Sequence, residues 1–185
     1  MGFLDFIKQP LTKISRTEKI KGIIRSTAEL VLETGILVKA IRDNTEEIGG
    51  FKLEGTEVTE LLLAEISIGE ITLEETILNQ VSSEEKSTLA RLYFSEIVSL
   101  LLNKYKYFKS KKENEDYGML FLERYVEYKE SYALGEDWTS PISRKVSQRL
   151  SFKDPMFSKM LKMNFCRRRL AILGFINEAS EKLNL

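Results

Sequence analysis

Three glutamates at regular spacing form the pattern in this chain that comes nearest to a catalytic site. Glu54, Glu57 and Glu60 recur at every third residue. On a helix, Glu-x-x-Glu places two carboxylates on one face, where they can hold Mg²⁺. Such a site needs a second acidic pair from another helix, and the chain offers only Glu113 and Asp116, far along the sequence. A magnesium-dependent carboxylate enzyme is therefore the weakest of three functional hypotheses, and we expect no metal site and no cofactor.

The residue types that most catalytic sites need are missing. The chain has no histidine, and Cys166 is its only cysteine. This excludes Ser-His-Asp and Cys-His nucleophilic catalysis, and it excludes zinc sites built from histidines or several thiolates. No glycine-rich phosphate loop of the P-loop or Rossmann type occurs. We therefore expect a protein that is not an enzyme. The single cysteine also favours a reducing compartment, so we expect the cytoplasm.

Charge is separated along the chain, although the totals balance at 28 basic and 28 acidic residues. Residues 43–85 carry twelve acidic side chains and one base, whereas residues 138–170 carry nine bases and one acid. Either the acidic and basic helices face each other inside one fold, or one pole is a docking surface for an oppositely charged partner. The candidate partner-binding residues are Arg144, Lys145, Arg149, Lys159, Lys162, Arg167, Arg168 and Arg169.

The arginine run at 167–169 bears directly on this choice. Three consecutive residues sweep about 200° around a helix. Not all three side chains can then point into water, so at least one is expected to meet an acidic partner. The sequence leaves open whether the run as a whole is buried in ion pairs or exposed as a binding surface.

The leading functional hypothesis is a non-catalytic helical interaction protein that docks through its oppositely charged surfaces. It would act as an adaptor, a regulator or an assembly subunit, and it would bind a protein partner or a second copy of itself. The alternative is a nucleic-acid-binding helical domain that uses the basic C-terminal third, assisted by the lysine- and tyrosine-rich segment 104–112. If that segment is helical, however, Tyr105 and Phe108 pack in the core and its lysines face water.

The N-terminal region could contact a membrane surface. Residues 8–25 contain six bases and one acid, and they follow the apolar residues Phe3, Phe6 and Ile7. A basic amphipathic helix of this kind can lie on an anionic bilayer. Pro10 interrupts it, and packing of a first helix on the bundle explains the same pattern. No apolar run approaches the ~18 residues that a membrane-spanning helix needs, so we expect a soluble protein with no transmembrane segment.

Apolar periodicity predicts an all-α fold for this chain. We expect a single domain over residues 1–185, built as a bundle of five to seven helices, with residues 1–12 as a candidate separate amphipathic segment. The last helix has apolar residues nearly all round, and we therefore expect it to be central and largely buried. The predicted helices cover residues 15–42, 56–68, 72–81, 83–111, 115–133, 141–150 and 155–182.

Capping patterns predict several of these helix starts. Ser82 with Glu85, and Thr72 with Glu75, match the capping box. In a capping box, the side chain of the first residue accepts a hydrogen bond from the backbone nitrogen of the fourth residue. The side chain of the fourth residue accepts one in return from the backbone nitrogen of the first. These two patterns therefore predict helices that begin just after residues 82 and 72.

Proline and glycine mark other boundaries. Pro141 and Pro155 each follow a good N-cap residue, so each is expected at the first position of a helix. Residues 44–55, with two consecutive glycines at their centre, are predicted to form a loop. Residues 51–53 within that loop are a candidate short strand.

Overall fold

The computed structural model describes residues 14–33, 35–107, 111–132, 137–150, 152 and 154–185. Within these residues it has seven α-helices and one two-stranded antiparallel sheet, which confirms the predicted all-α bundle. The predicted membrane-contact residues Phe3, Phe6 and Ile7 lie outside the described residues, as does the whole of segment 1–12. The helices are α1 (Arg16–Leu32), α2 (Gly35–Asp43), α3 (Thr56–Glu75), α4 (Ser83–Ser99), α5 (Lys111–Tyr132), α6 (Thr139–Arg149) and α7 (Pro155–Leu183), and the strands are β1 (Thr45–Ile48) and β2 (Phe51–Glu54).

The centre of the bundle is α3, which contacts all six other helices. Of its 20 residues, only five are not buried, because the other helices pack around it. The prediction of two separate helices at 56–68 and 72–81 is wrong. Thr72 donates its hydroxyl to the Ile68 carbonyl at 2.7 Å, inside the helix, instead of capping a new one. The helix therefore continues to Glu75, and a 3₁₀ turn at Leu78–Gln80 follows.

Helix α7 packs on α1, α3 and α6 and buries one face only. The structure therefore gives the central position to α3 rather than to the C-terminal helix, which has more apolar residues than one face can bury. Met156, Met163 and Leu170 are left exposed. The buried residues recur every three or four positions, as in an amphipathic helix: Phe157, Leu161, Phe165, Arg168, Ile172, Ile176, Ala179 and Leu183.

Two of the predicted helix starts are confirmed by their caps. The Asp154 side chain accepts a hydrogen bond from the Met156 backbone nitrogen at 2.8 Å, and Pro155 takes the first helical position. Ser82 and Glu85 form the capping box that begins α4, with both reciprocal bonds at 3.3 Å. Helix α6 begins at Thr139, two residues before the predicted start.

The predicted loop at 44–55 is a β-hairpin. Strands β1 and β2 pair from Thr45 with Glu54 to Ile48 with Phe51, which confirms the candidate strand at 51–53. Gly49 and Gly50 connect them with φ angles of 57° and 87°. Two consecutive positive φ angles are what a tight hairpin turn needs, and glycine adopts them without strain.

Two predicted helices end earlier than expected. The helix predicted over 15–42 is divided between Leu32 and Gly35 into α1 and α2. The helix predicted over 83–111 ends in a wide π turn at Leu100–Lys104, where the Tyr105 backbone nitrogen donates to the Leu100 carbonyl at 3.0 Å. Lys106 then has a positive φ of 54°, and a right-handed helix cannot continue through a residue in that conformation. The predicted helical placement of Tyr105 is therefore wrong, and Phe108 lies outside the described residues.

Candidate functional site

One predicted docking residue is buried in an ion pair at the centre of the bundle. Arg168 of α7 donates from Nε to Oε2 of Glu65 on α3 at 2.8 Å, and the two side chains are only 9% and 6% exposed. Burial raises the pKa of the Glu65 carboxyl, and the attraction and hydrogen bond of Arg168 oppose that rise. The expectation that one residue of the arginine run meets an acidic partner is confirmed.

The next residue of the run, Arg169, is also bound within the fold. Its guanidinium makes two hydrogen bonds to the Glu75 carboxylate, at 3.0 and 3.1 Å. Trp138 donates its indole nitrogen to the same carboxylate at 2.9 Å, and its ring lies 5.1 Å from the guanidinium carbon. Two hydrogen bonds to one carboxylate and a cation–π contact with the Trp138 ring hold the guanidinium in one orientation. Arg169 is therefore fixed against α3.

The glutamates that could have formed a magnesium site are bound to other groups. Arg124 of α5 forms a forked pair with Glu60, with distances of 2.8 to 3.0 Å, and this hydrogen bonding raises the pKa of the arginine. The Glu57 carboxylate accepts from the backbone nitrogen of Glu54 at 3.2 Å. The side chain of Glu113 lies outside the described residues. In the part of the chain that the structure describes, no group of three or more ligating side chains could hold a metal ion.

The C-terminal end of α3 carries two further buried carboxylates. Glu74 pairs with Lys86 of α4 at 2.5 Å and with Lys129 of α5 at 2.7 Å. Burial raises the pKa of the Glu74 carboxyl, but the hydrogen bonds from these lysines outweigh burial and leave it lowered. Glu70 lies one turn earlier and is bonded to the Tyr125 hydroxyl. Burial raises its pKa from the usual 4.5 to about 7, although Tyr125 and Lys129 oppose the rise.

The replacement Glu70→Gln is expected to increase the free energy of unfolding at pH 8 by up to about 3 kcal/mol, at 1.36 kcal/mol per pKa unit. The folded state holds the Glu70 proton between pH 4.5 and about 7, where the unfolded state has released it. This group therefore makes stability fall as pH rises through that window. In urea unfolding measured from pH 4 to 8, the free energy of unfolding should fall less in the variant than in wild type. Glu181→Gln, at an exposed position of α7, is the control, and a variant profile identical to wild type would contradict the assignment.

The other predicted candidates divide into paired and free residues. Lys145 donates to the Glu127 backbone carbonyl at 2.7 Å, and Arg149 pairs with the carboxylate of the same residue. Lys162 pairs with Asp137 at 2.8 Å. Five of the eight predicted residues are thus bound inside the fold. The three that are exposed and make no ion pair with any described residue are Arg144, Lys159 and Arg167.

Two of these free bases lie within an exposed apolar row on α7. Met156, Met163 and Leu170 are spaced by seven residues and are 49% to 65% exposed. Seven residues make nearly two full turns, so the three side chains lie on one face. Lys159 and Arg167 stand four residues before and after Met163, on the same face. These five residues are here called the α7 stripe.

A second exposed apolar row lies on α5. Met119, Leu122 and Val126 are 52% to 63% exposed and follow i, i+3, i+7 spacing. Glu123 and Glu130, both exposed, stand three residues before and four residues after Val126. These five residues are here called the α5 stripe. Neither stripe was predicted from the sequence. The apolar residues of the last helix were expected to be largely buried, and those of the α5 stripe were not singled out. The α7 stripe could have been recognised from its regular seven-residue spacing, which differs from the three- or four-residue spacing of the buried residues of α7.

A groove of about 950 Å³ lies where α2, the start of α3 and the end of the π turn meet. The tyrosines 105, 107 and 117 line it, and Thr59 and Tyr107 are joined across it by a hydroxyl hydrogen bond of 3.1 Å. Three bases reach its wall. Arg42 is paired with Asp43 and Lys104 with Glu33, while Lys106 is exposed. The groove therefore presents a mixed aromatic and polar surface, with two of its bases already neutralised.

Four aromatic residues of α5 lie on its core side, namely Phe121, Tyr125, Tyr128 and Tyr132. Phe121 and Tyr128 are buried, and Phe121 stacks on Phe94 of α4 with ring centroids 4.4 Å apart.

Among the described residues, no helix is both long and apolar enough to cross a bilayer. Comparison of the chain with known proteins found no matching family model, no similar curated protein and no similar solved structure.

Proposed function

We propose that this chain is a non-catalytic helical interaction protein that works as an adaptor, a regulator or an assembly subunit. The observation that carries the proposal is the α7 stripe, in which three large apolar side chains are exposed in one row. Single exposed apolar residues are ordinary on a protein surface, but three large ones in one row, with charged residues between them, suit an interaction face. Methionine, which supplies two of the three, is a flexible side chain that suits such faces.

The charge on the stripe determines which partner would fit it. Lys159 and Arg167 flank Met163, so a complementary partner presents apolar side chains flanked by carboxylates. Two ion pairs, Glu65 with Arg168 and Glu75 with Arg169, join the acidic region to the basic region, and most other paired residues of the two regions bind partners elsewhere in the fold. Docking through whole oppositely charged surfaces is therefore replaced in this proposal by docking through one helix face.

Nucleic-acid binding through the basic C-terminal third is a weaker alternative. Of the eight predicted basic residues, Arg144, Lys159 and Arg167 are the ones left without an ion pair in the described structure. Three phosphate contacts would give a slope of only about −3 when the logarithm of the binding constant on duplex DNA is plotted against the logarithm of salt concentration.

A magnesium-dependent reaction is the weakest of the three hypotheses, since Glu60 is engaged by Arg124. We further propose the cytoplasm as the location of the protein, on the basis of its single cysteine.

Affinity capture from the protein's own cells tests the proposal. Wild type is compared with Met163→Glu/Leu170→Glu, which places two like charges in the α7 stripe. The control is Ser87→Glu/Arg91→Glu, at two exposed positions of α4. We expect a stoichiometric protein to be captured by wild type and the control, and to be lost from the stripe variant, with or without nuclease. Equal capture by all three proteins would contradict the proposal, and nuclease-sensitive capture would favour nucleic acid.

A further inference from the structure

We infer that the partner of the α7 stripe is the α5 stripe of a second copy of this chain. The inference rests on the proposed function, because it names the partner of the same surface. Both stripes are exposed helix faces of the same kind, an apolar row flanked by two charges, and they differ in the sign of the charges. The bases Lys159 and Arg167 stand on one, and the acids Glu123 and Glu130 on the other.

The apolar row of the α5 stripe is shorter than that of the α7 stripe. Met156 to Leu170 spans 14 residues, or about 21 Å at 1.5 Å per residue, whereas Met119 to Val126 spans 7 residues, or about 10.5 Å. The spacing of Met119 and Val126 therefore equals that of two neighbouring members of the α7 row. The α5 row can pack against those two side chains as two antiparallel or parallel helices do at an interaxial distance of about 8–10 Å.

The charges match in spacing as well as in sign. Lys159 and Arg167 are eight residues apart, about 12 Å along α7, and Glu123 and Glu130 are seven residues apart, about 11 Å along α5. Two ion pairs can therefore form at once, on either side of the apolar contact between Met163 and Val126. Neither base of the α7 stripe has an ion-pair partner among the described residues, and Glu123 of the α5 stripe, whose side chain is 66% exposed, has a 3.9 Å contact with Arg124 that a second copy would compete with.

The contact joins two different surfaces. Two copies related by a two-fold axis would use both stripes of each chain and stop at a dimer, whereas a head-to-tail contact leaves one stripe free at each end and continues into a ring or an open chain. A single helix-on-helix contact is small beside the roughly 1,600 Å² of a standard interface, so affinity in the micromolar range is expected. The flanking ion pairs are exposed, and raising the salt concentration should weaken the association.

Two single-stripe variants provide the decisive test by analytical ultracentrifugation at about 100 μM protein and low salt, a concentration chosen for micromolar affinity. Met163→Asp blocks the α7 stripe, and Val126→Asp blocks the α5 stripe. We expect wild type to form dimers or larger species, and each variant alone to be monomeric. An equal mixture of the two variants should form a dimer and nothing larger, because only one intact α7 stripe and one intact α5 stripe remain per pair. Circular dichroism of each variant confirms that the bundle is folded.

Charge exchange provides a second readout that a merely misfolded variant would not reproduce. Lys159→Glu/Arg167→Glu and Glu123→Lys/Glu130→Lys should each be monomeric, and the chain that carries all four substitutions should associate again. Wild type that stays monomeric would overturn the inference. If that monomer still captures a different protein through the α7 stripe, the proposed function stands and only the second copy is excluded. Association that persists in Val126→Asp would also overturn it, since it would point to α7 meeting α7.

Discussion

Replacing Arg168 by methionine is expected to lower the free energy of unfolding by about 3–5 kcal/mol, the usual effect of removing one partner of a buried ion pair. Arg168 and Glu65 are joined at 2.8 Å near the centre of the bundle. Without the guanidinium, the Glu65 carboxyl keeps the burial that already raises its pKa and loses the attraction that opposes the rise. It must then either be buried with an unpaired charge or take up a proton.

The measurement is urea unfolding of Arg168→Met at pH 8 and pH 5, with Arg167→Met as the matched control. The loss should be larger at pH 8, because protonation of Glu65 at lower pH relieves the unpaired charge. The control replaces the neighbouring exposed arginine and should stay within about 0.5 kcal/mol of wild type. Glu65→Leu/Arg168→Met, which removes both charges, should recover most of the loss. A change under about 1 kcal/mol in Arg168→Met would contradict the buried pair.

Replacing Gly69 by alanine is expected to lower the free energy of unfolding by about 1–3 kcal/mol, the range for overpacked cores. Gly69 lies in the buried middle of α3, where a Cβ atom would overlap the Tyr93 hydroxyl and lie 2.8 Å from Cγ2 of Val31. The Tyr93 hydroxyl is held in place by the hydrogen bond that it donates to the Ile66 carbonyl at 2.9 Å, and moving it away from the new Cβ would break that bond. Helix propensity alone would predict the opposite sign, since alanine is favoured over glycine by about 1 kcal/mol.

Two comparisons separate this packing effect from propensity. Gly174→Ala, at an exposed position of α7 where an added Cβ meets nothing within 4 Å, should raise the melting temperature because it gains about 0.4–1 kcal/mol. Tyr93→Phe in the Gly69→Ala background should recover part of the loss, because it removes the overlapping hydroxyl. If Gly69→Ala proved as stable as wild type, the close approach of α4 to α3 would be excluded.

Local features of the fold could be predicted from the sequence because the residues that determine them are neighbours. Ser82 and Glu85 form a cap within three residues, and Asp154 with Pro155 begins α7 in the same way. Helices α4 to α7 were thus identifiable by apolar period and caps, whereas α1 and α2 were predicted as one helix and α3 as two. The exceptions are places where a distant contact decides the outcome. Helix α4 ends in a π turn beyond which Tyr107 bonds to Thr59, and no local signal marks that end.

The pairing of charges could not be predicted, because it depends on which helices become neighbours. Glu65 and Arg168 are 103 residues apart in the chain, and Glu75 and Arg169 are 94 apart. The sequence indicated that an acidic region and a basic region exist, and that at least one arginine of the run needs an acidic partner. It could not show that five of the eight candidate bases are bound within the fold.

The position of α7 was missed for a related reason. Its apolar residues were counted around the whole circumference, whereas the structure separates a core row that includes Phe157, Leu161 and Phe165 from the exposed α7 stripe. A count of apolar content cannot make that separation, because both rows are equally apolar. Only the partners of a helix decide which of its faces is covered, and α1, α3 and α6 cover one face of α7.

Association of the protein through the α7 stripe is tested most directly by site-specific photo-crosslinking. A photoreactive amino acid replaces Met163 in one variant and Arg91, on the exposed face of α4, in another. After irradiation in the protein's own cells, we predict a discrete covalent adduct from position 163 and none from position 91. The mass of the adduct identifies the partner, whether a second copy or another protein. Adducts from position 91 with none from position 163 would contradict the claim.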